Sequence, residues 1–389
     1  MTITPSGAPV LPIDHQRVLW LTARGAVANP YAGTVPGAFD VSREELAGLL
    51  AGEPRFRTDQ VWRGIWERGD LPRDMTDLPK SLRERLGTVL VPALEEVSRS
   101  TSSDRRTTKW LWRLADDARV ETVLMLYPER ATACISSQAG CAMACSFCAT
   151  GQAGFTRQLS VGEIVEQVAR ARQEALPRRL SNVVFMGMGE PLANYDRMWA
   201  AVELIHSNLG ISARHITVST VGVVPGIRRL AAEALPVNLA VSLHAARDEL
   251  RSRIVPLNRR YPLSVLMGAC AEYLTAKNRR LSFEWALIAG VNDTAQDAAE
   301  LAELALPLRA HVNLIPLNPT PGYAGRGTPA AGAAWFGAEL AARGVKATVR
   351  ANRGTDIDAA CGQLAAGQVP AAARPRRAPA AAGAVGVAH

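Results

Sequence analysis

Three of the six cysteines in this 389-residue chain fall within eight residues, in the arrangement Cys141-x3-Cys145-x2-Cys148. This spacing is poor for a structural disulfide framework, and in a reducing compartment it indicates a metal site, an iron–sulfur cluster or redox chemistry. Zinc sites prefer two short-spaced ligand pairs, whereas no fourth Cys or His follows nearby here. Three thiolates on a [4Fe–4S] cluster leave one iron open to a chelating co-substrate. We therefore predict such a cluster on these cysteines, with structural zinc or a purely electron-transfer cluster as the alternatives.

The composition is that of a folded protein with a sizeable core. Apolar residues make up 48% of the chain, which excludes disorder of the chain as a whole. No apolar run reaches the ~18 residues of a membrane span, and the N-terminus lacks the pattern of a secretory signal. We therefore expect a cytoplasmic protein with no membrane partner. The formal net charge of +8 permits a nucleic-acid partner without requiring one.

The order of predicted elements divides the chain into four parts. Residues 1–100 are predicted to be mainly helical, with a capping box at Ser42 and Glu45, and residues 101–130 to form a β-hairpin linker. Residues 131–365 alternate strands with helices, which predicts a parallel sheet, either doubly wound or a full or partial barrel. Residues 366–389 are rich in Ala and Pro and are predicted to be a disordered tail.

The alternating region contains about six β-then-α units, short of the eight of a complete barrel. Its strands are predicted at residues 133–136, 182–186, 215–219, 238–242, 283–287, 311–315 and 346–350. The predicted fold is therefore α/β, an incomplete (β/α)6 TIM-like barrel preceded by a helical N-terminal domain.

Polar groups recur at the ends of these strands, at the edge where parallel α/β folds place their sites. A Gly-rich turn with a carboxylate, Gly187 to Pro191, follows the second strand. Its glycines let the backbone approach a ligand, and Glu190 can accept a hydrogen bond from an ammonium group. The other strand-end candidates are Ser219, Ser242, Leu243, His244 and Asn318. Each of them alone is more often a cap or a turn residue, so the prediction depends on their shared placement.

The cysteine spacing, with Phe147 before the last cysteine, resembles that of the radical S-adenosylmethionine (SAM) superfamily. Across about residues 40–365 the chain resembles the RlmN family of adenosine-C2 methyltransferases, whose relative Cfr methylates C8. The matching stretches are Gln60-Val-Trp, Asp74 to Leu78, Val120-Glu-Thr-Val, Cys134 to Gly151, Gly187 to Pro191, Ser219 to Pro225, Ser242-Leu-His244, Asn313 to Asn318 and Asn352 to Leu364. One departure is Val221, where some members carry a second Ser.

The resemblance implies a mechanism for attack on a ring carbon that is not a nucleophile. Cys361 would accept a methyl group from one SAM, and a second SAM, cleaved at the cluster, would supply a radical that activates this methyl. The methylene radical would add to C2, Glu121 would remove the C2 proton, and Cys134 would release the product by forming a transient disulfide with Cys361. The residues implied to bind SAM are Gly189, Glu190, Ser219, Ser242, Leu243, His244 and Asn318.

The implied substrates are adenosine 2503 of 23S rRNA and adenosine 37 of tRNA, with the helical residues 1–100 as an RNA-binding accessory domain. The resemblance also implies an electron donor such as a flavodoxin and a monomeric enzyme. Two other functions stay open: C8 methylation of 23S rRNA, and a non-catalytic iron–sulfur or zinc RNA-binding protein. RNA contacts are not fixed by the sequence. Arg55, Arg57 and the aromatic residues near them fit either a nucleic-acid surface or an amphipathic helix. A second basic group, Arg251, Arg253, Arg259 and Arg260, fits either phosphate contact or a solvated face.

Overall fold

The computed structural model describes residues 37–320, 322–350 and 354–364. Its first part is helical: α1 (Arg43–Leu49), α2 (Phe56–Arg63) and α3 (Lys80–Val89). The capping box that opens α1 is present as predicted, with the Ser42 hydroxyl accepting from the Glu45 N–H. A π-helical turn, Gly64–Arg68, continues α2 and buries Ile65 and Trp66.

The linker is a three-stranded antiparallel meander and not a two-stranded hairpin. The predicted hairpin is formed by β2 (Thr107–Arg113) and β3 (Arg119–Leu126), and β1 (Glu95–Thr101) adds to its edge. We did not predict β1, which begins inside the region expected to be helical. Its residues are almost all exposed, so it lacks the apolar alternation that marks a half-buried strand. Pairing with β2 alone makes it a strand.

The alternating region forms the predicted parallel sheet. Its strands are β4 (Ala131–Cys134), β7 (Leu180–Phe185), β8 (Ile216–Thr220), β9 (Asn238–Ser242), β10 (Leu281–Leu287), β11 (His311–Pro316) and β12 (Ala347–Val349). Each strand lies within two residues of its predicted bounds. The helices between them are α5 (Val161–Ala175), α6 (Tyr195–Ser207), α7 (Val224–Ala232), α8 (Asp248–Ile254), α9 (Leu263–Lys277), α10 (Ala295–Ala305) and α11 (Ala330–Ala342).

One continuous sheet joins the meander to the barrel. The strand order is β1-β2-β3-β4-β7-β8-β9-β10-β11-β12, with β3 and β4 antiparallel and every pair from β4 to β12 parallel. This is the predicted incomplete (β/α)6 barrel, with the meander extending its first edge.

Burial of the central strands on both faces explains their apolar sequences. Val183, Val218, Val241 and Phe283 are fully buried, while α5 packs an apolar stripe against β3, β4 and β7. No helix in the described part of the chain is long and apolar enough to cross a membrane.

Two smaller features complete the carboxyl edge of the barrel. A two-stranded ribbon, β5 (Gln138–Gly140) with β6 (Phe155–Gln158), encloses the cysteine loop and α4 (Ala149–Ala153). Residues 354–364, called here the C-terminal segment, lie against this edge. The Ala149 N–H donates to the Gly362 carbonyl at 2.8 Å, and the Asn318 amide donates to the Cys361 carbonyl at 3.1 Å. The predicted tail lies outside the described residues.

Candidate active site

A cleft opens at the carboxyl edge of the parallel strands. Ten of the residues predicted for the site line it: Cys141, Cys145, Cys148, Gly189, Glu190, Ser219, Ser242, His244, Asn318 and Cys361. Three predicted site residues, Glu121, Cys134 and Leu243, are not part of its lining. The fold therefore gathers segments from positions 141 to 361 at one place.

The cysteine loop is shaped to hold its thiols together in an apolar setting. Cys145 and Phe147 pack with Ile254 and Val255, and Ala144 takes a left-handed conformation with φ of 53°. Burial raises the pKa of Cys141 to about 12 and raises that of Cys145 as well, where the nearby Arg251 opposes the rise without cancelling it. A bound cluster of iron ions would supply the positive charge that these two buried thiols need to ionise.

In the described ranges 37–320, 322–350 and 354–364, no three His, Cys, Asp or Glu side chains converge on a site for a single metal ion. A [4Fe–4S] cubane does not need such convergence, because each thiolate binds a different iron. The three cysteines therefore fit a cluster that would fill the space between them.

The turn after β7 requires its glycines. Gly189 has φ of +101°, and a Cβ there would lie 2.5 Å from the Cβ of Gln138, while a Cβ on Gly187 would lie 2.7 Å from the backbone of Ile135. This close contact between two loops sets the position of Glu190, whose backbone N–H donates to the Gln138 amide oxygen at 2.7 Å.

Glu190 is a buried carboxylate held by backbone donors. Its oxygens accept from the N–H groups of Leu192 at 3.0 Å and Val221 at 2.8 Å. Burial raises its pKa to about 7, against the lowering effect of these hydrogen bonds. The backbone N–H of Val221 makes this contact, so the hydrogen bond does not depend on which side chain stands at position 221.

His244 is fixed as a neutral acceptor at the end of β9. Its ring is buried, its φ is 61°, and its Nδ1 accepts from the Ala286 N–H at 3.0 Å. Burial lowers its pKa to about 3, with nearby Arg251 adding to the effect. An accepting Nδ1 places the ring proton on Nε2. The neighbouring Leu243 is fully buried in the core and contributes its carbonyl oxygen to Arg251.

Arg251 does not lie on the surface. Both interpretations of the second basic group, phosphate contact and a solvated face, require a surface residue. Arg251 is 1% exposed, and its guanidinium donates to the carbonyls of Val221 and Leu243 and to the side-chain oxygen of Asn258. The earlier expectation is wrong for this residue, because the guanidinium satisfies backbone carbonyls at the ends of β8 and β9. Arg253, Arg259 and Arg260 remain exposed.

Cys361 lies in the cleft wall, where the C-terminal segment passes the barrel. Cys361 is an exposed residue because it faces the cleft. Many protein atoms nevertheless lie around its thiol, and the resulting loss of water raises the pKa of that thiol. Glu284 and Cys148 add to that rise, and Arg350 opposes it. Cys134 is a buried thiol on β4, and its pKa is raised first by burial and then by the charge of Cys361.

Glu121 is buried on β3 and is not a solvated strand charge. It is 1% exposed, and the Lys109 ammonium lies 3.2 Å from its Oε1. The Ser136 hydroxyl donates to the Glu121 carbonyl at 2.6 Å. Cys134 and Glu121 thus occupy neighbouring antiparallel strands, β4 and β3, beside the cleft rather than within its lining.

Sequence reasoning missed one acidic residue of the cleft. Glu284 on β10 lines it, is 8% exposed, and accepts from the Asn313 amide at 2.8 Å and the Ser282 hydroxyl at 2.9 Å. Burial raises its pKa. The sequence did contain a signal for Glu284, since it is the one carboxylate in an otherwise apolar predicted strand, residues 283–287.

Comparisons with known proteins identify the family of this chain. Residues 135–305 match the model of the radical SAM superfamily, and residues 39–91 match the ribosomal RNA large subunit methyltransferase N-terminal domain. A relative from Parafrankia sp., named as a dual-specificity RNA methyltransferase RlmN, is 50% identical over 84% of this chain and 91% of its own length. A relative of the same name from Roseiflexus castenholzii is 47% identical over 86% of this chain and 97% of its own.

A solved structure has the same fold. The crystal structure of a radical SAM methyltransferase from Sphaerobacter thermophilus superposes with a TM-score of 0.81 at 48% identity, covering 85% of this chain and 99% of that one. The family implies a [4Fe–4S] cluster and SAM as cofactors, in agreement with the cleft and its three cysteines. The chain therefore belongs to the RlmN family of radical SAM methyltransferases.

Proposed function

We propose that this protein methylates C2 of adenosine in RNA, with adenosine 2503 of 23S rRNA and adenosine 37 of tRNA as substrates. The observation that carries the proposal is the cleft in which Cys361 and the three cysteines of the loop share one lining. The names of the relatives, dual-specificity RNA methyltransferases, support two classes of RNA substrate.

The residues in the cleft fit the two cofactors. Cys141, Cys145 and Cys148 would hold the cluster, leaving one iron for SAM. Glu190 would accept from the SAM ammonium group, with Ser219, Ser242 and Asn318 around the remainder and the Gly189 backbone at close approach. Leu243 would act only through its backbone, because its side chain is in the core. When bound, these cofactors would supply the methyl group and the one-electron oxidation.

Cys361 would carry the methyl group and Cys134 would release the product. The Cys361 sulfur would be linked through a methylene carbon to C2 of the base. Attack by the Cys134 thiolate forms an S–S bond and breaks the S–C bond, whose electron pair takes a proton to complete the methyl group. The disulfide is then reduced by an external thiol. Both thiols are free in the structure, and the charge of Cys361 adds to the rise in the pKa of Cys134, which is caused first by burial.

Glu121 would remove the C2 proton. Its support is burial beside Cys134 together with a cation at 3.2 Å, which favours the ionised form that a base requires. We also propose that the enzyme is a cytoplasmic monomer reduced by a donor such as a flavodoxin. Arg253 suits an acidic donor, because it adjoins Ile254, whose carbonyl accepts from the Ser146 N–H of the cysteine loop at 3.1 Å. The exposed Arg259 and Arg260 lie a few residues further along the chain.

The test uses anaerobically prepared enzyme with its cluster, dithionite, SAM and RNA lacking the modification. We expect the wild type to form 2-methyladenosine, identified by mass spectrometry of the nucleosides. The Cys361→Ser variant should lose product by at least about a thousandfold, because serine cannot form a methylated sulfur intermediate. Cys270→Ser, on α9 and away from the cleft, is the control.

Three results would contradict the proposal. Formation of 8-methyladenosine would show that the enzyme methylates C8 and not C2. Full activity of Cys361→Ser would remove the methyl-carrier role, and RNA binding without any methylated product from the wild type would favour a binding protein.

A further inference from the structure

Lys109 on β2 contacts two segments that are far apart in sequence. Its ammonium lies 3.2 Å from Oε1 of Glu121 and 3.1 Å from the carbonyl oxygen of Asp358, 249 residues away. The Lys109 side chain is only 14% exposed. A single side chain therefore joins the proposed base to the segment that carries Cys361, three residues beyond Asp358.

The sheet sets this geometry. Lys109 pairs with Val123 and Leu111 pairs with Glu121 in the β2–β3 register, so Lys109 and Glu121 are diagonal neighbours on one face of the sheet. A buried carboxylate is costly without a partner, and an ammonium at this distance favours its ionised form. Lys109 can therefore hold Glu121 in the state that accepts a proton.

The C-terminal segment has other anchors. The Ser103 N–H donates to the Asp356 carboxylate at 2.9 Å, and the Thr150 hydroxyl donates to the Leu364 carbonyl at 3.2 Å. The Gly362 and Cys361 carbonyls are held by Ala149 and Asn318, as described above. Removing the Lys109 ammonium therefore leaves the segment attached at both ends and loosens only its link to Glu121.

We propose that Lys109 is a positioning residue that aligns the Glu121 carboxylate with the segment bearing Cys361. The proposed base, Glu121, and the proposed methyl carrier, Cys361, can then both reach the same adenine. The inference depends on the proposed function. It predicts a defect after the methyl group has been loaded on Cys361, because loading does not need Glu121.

The experiment compares Lys109→Met, which removes the charge, with Lys109→Arg, which keeps a cation. Lys277→Met, at the end of α9 on the outside of the barrel, is the matched control. Cluster-loaded protein is given SAM and dithionite, with and without unmodified RNA. Three quantities are measured: methyl on Cys361 by peptide mass spectrometry, covalent protein–RNA adduct on a denaturing gel, and methylated adenosine.

For Lys109→Met we expect methyl loading and the KM for RNA to stay within about twofold of the wild type, while kcat falls about tenfold or more and the adduct accumulates. Lys109→Arg should recover most of the rate, and Lys277→Met should match the wild type. Circular dichroism melting checks that each variant is folded at the assay temperature. If Lys109→Met is unfolded there, Lys109→Gln replaces it, since an amide can still donate a hydrogen bond but carries no charge.

Wild-type kcat in Lys109→Met or Lys109→Gln would overturn the inference. So would a Lys109→Arg variant as slow as Lys109→Met, or a defect confined to methyl loading. Failure of the proposed function would look different, because the wild type itself would then form no methyl on Cys361 or no 2-methyladenosine.

Discussion

At the scale of single side chains, three buried carboxylates in the cleft lining or beside it are held in different ways. Glu190, Glu284 and Glu121 are each less than a tenth exposed, and each is held by donors of a different kind. Backbone N–H groups hold Glu190, neutral side chains hold Glu284, and an ammonium faces Glu121. The ammonium of Lys109 forms a salt bridge with Glu121, which suits the base role that we propose for this carboxylate.

The raised pKa of Glu190 has a consequence for stability. Burial raises its pKa to about 7 in the folded protein from the usual 4.5, so the folded state disfavours the charged form. Stability from this group is fully present below about pH 4.5 and is lost as the pH rises through 7. We expect the melting temperature of cluster-free Glu190→Gln, relative to the wild type, to rise between pH 5 and pH 8. A difference that stays constant across this range would contradict the assignment.

At the scale of elements, side chains join the loops at the carboxyl edge by hydrogen bonds to backbone groups that have no partner within the strands. Arg251 on α8 donates to carbonyls beyond β8 and at the end of β9, and Glu190 after β7 accepts from Val221 after β8. The ends of three consecutive strands are thereby fixed to one another. The cleft owes its shape to these cross-links between loops.

Removing the Arg251 guanidinium should be costly. We expect Arg251→Met to lower the free energy of unfolding by about 3 kcal/mol, because several buried carbonyls lose their donors. Arg251→Lys should recover only part of this, since an ammonium cannot reproduce the planar fork. Arg253→Met, on the same helix but with a 66% exposed side chain, should change stability by less than about 0.5 kcal/mol. Equal effects of the two Met substitutions in chemical denaturation would contradict this account.

At the scale of the whole molecule, the C-terminal segment connects the meander, the cysteine loop and the barrel. Its contacts run to Ser103 beside β1, to Ala149 on α4 and to Asn318 after β11. Cys361 is therefore positioned by three parts of the chain that are distant in sequence. The segment has little regular structure of its own beyond one short turn.

The Asn318 contact offers a test of this arrangement. We expect Asn318→Ala to lower methylation turnover about tenfold and to speed alkylation of Cys361 by iodoacetamide a few-fold, because the Cys361 carbonyl loses its donor. Iron content should stay at the wild-type value, since the cysteine loop is untouched. Unchanged alkylation with reduced iron would show that Asn318 acts on the cluster loop instead.

The sequence by itself determined the features that are local. The cysteine triad, the Gly-rich turn, the capping box of α1 and the apolar parallel strands are each encoded within a few neighbouring residues, and each was located to within about two positions. The family followed from many such stretches in a fixed order.

Only the tertiary structure decided which distant groups meet. It added the polar edge strand β1, buried Arg251, and brought Lys109 to both Glu121 and Asp358. The physical reason is that burial and ion pairing depend on neighbours in space. A charged residue looks the same in sequence whether water or a folded core surrounds it.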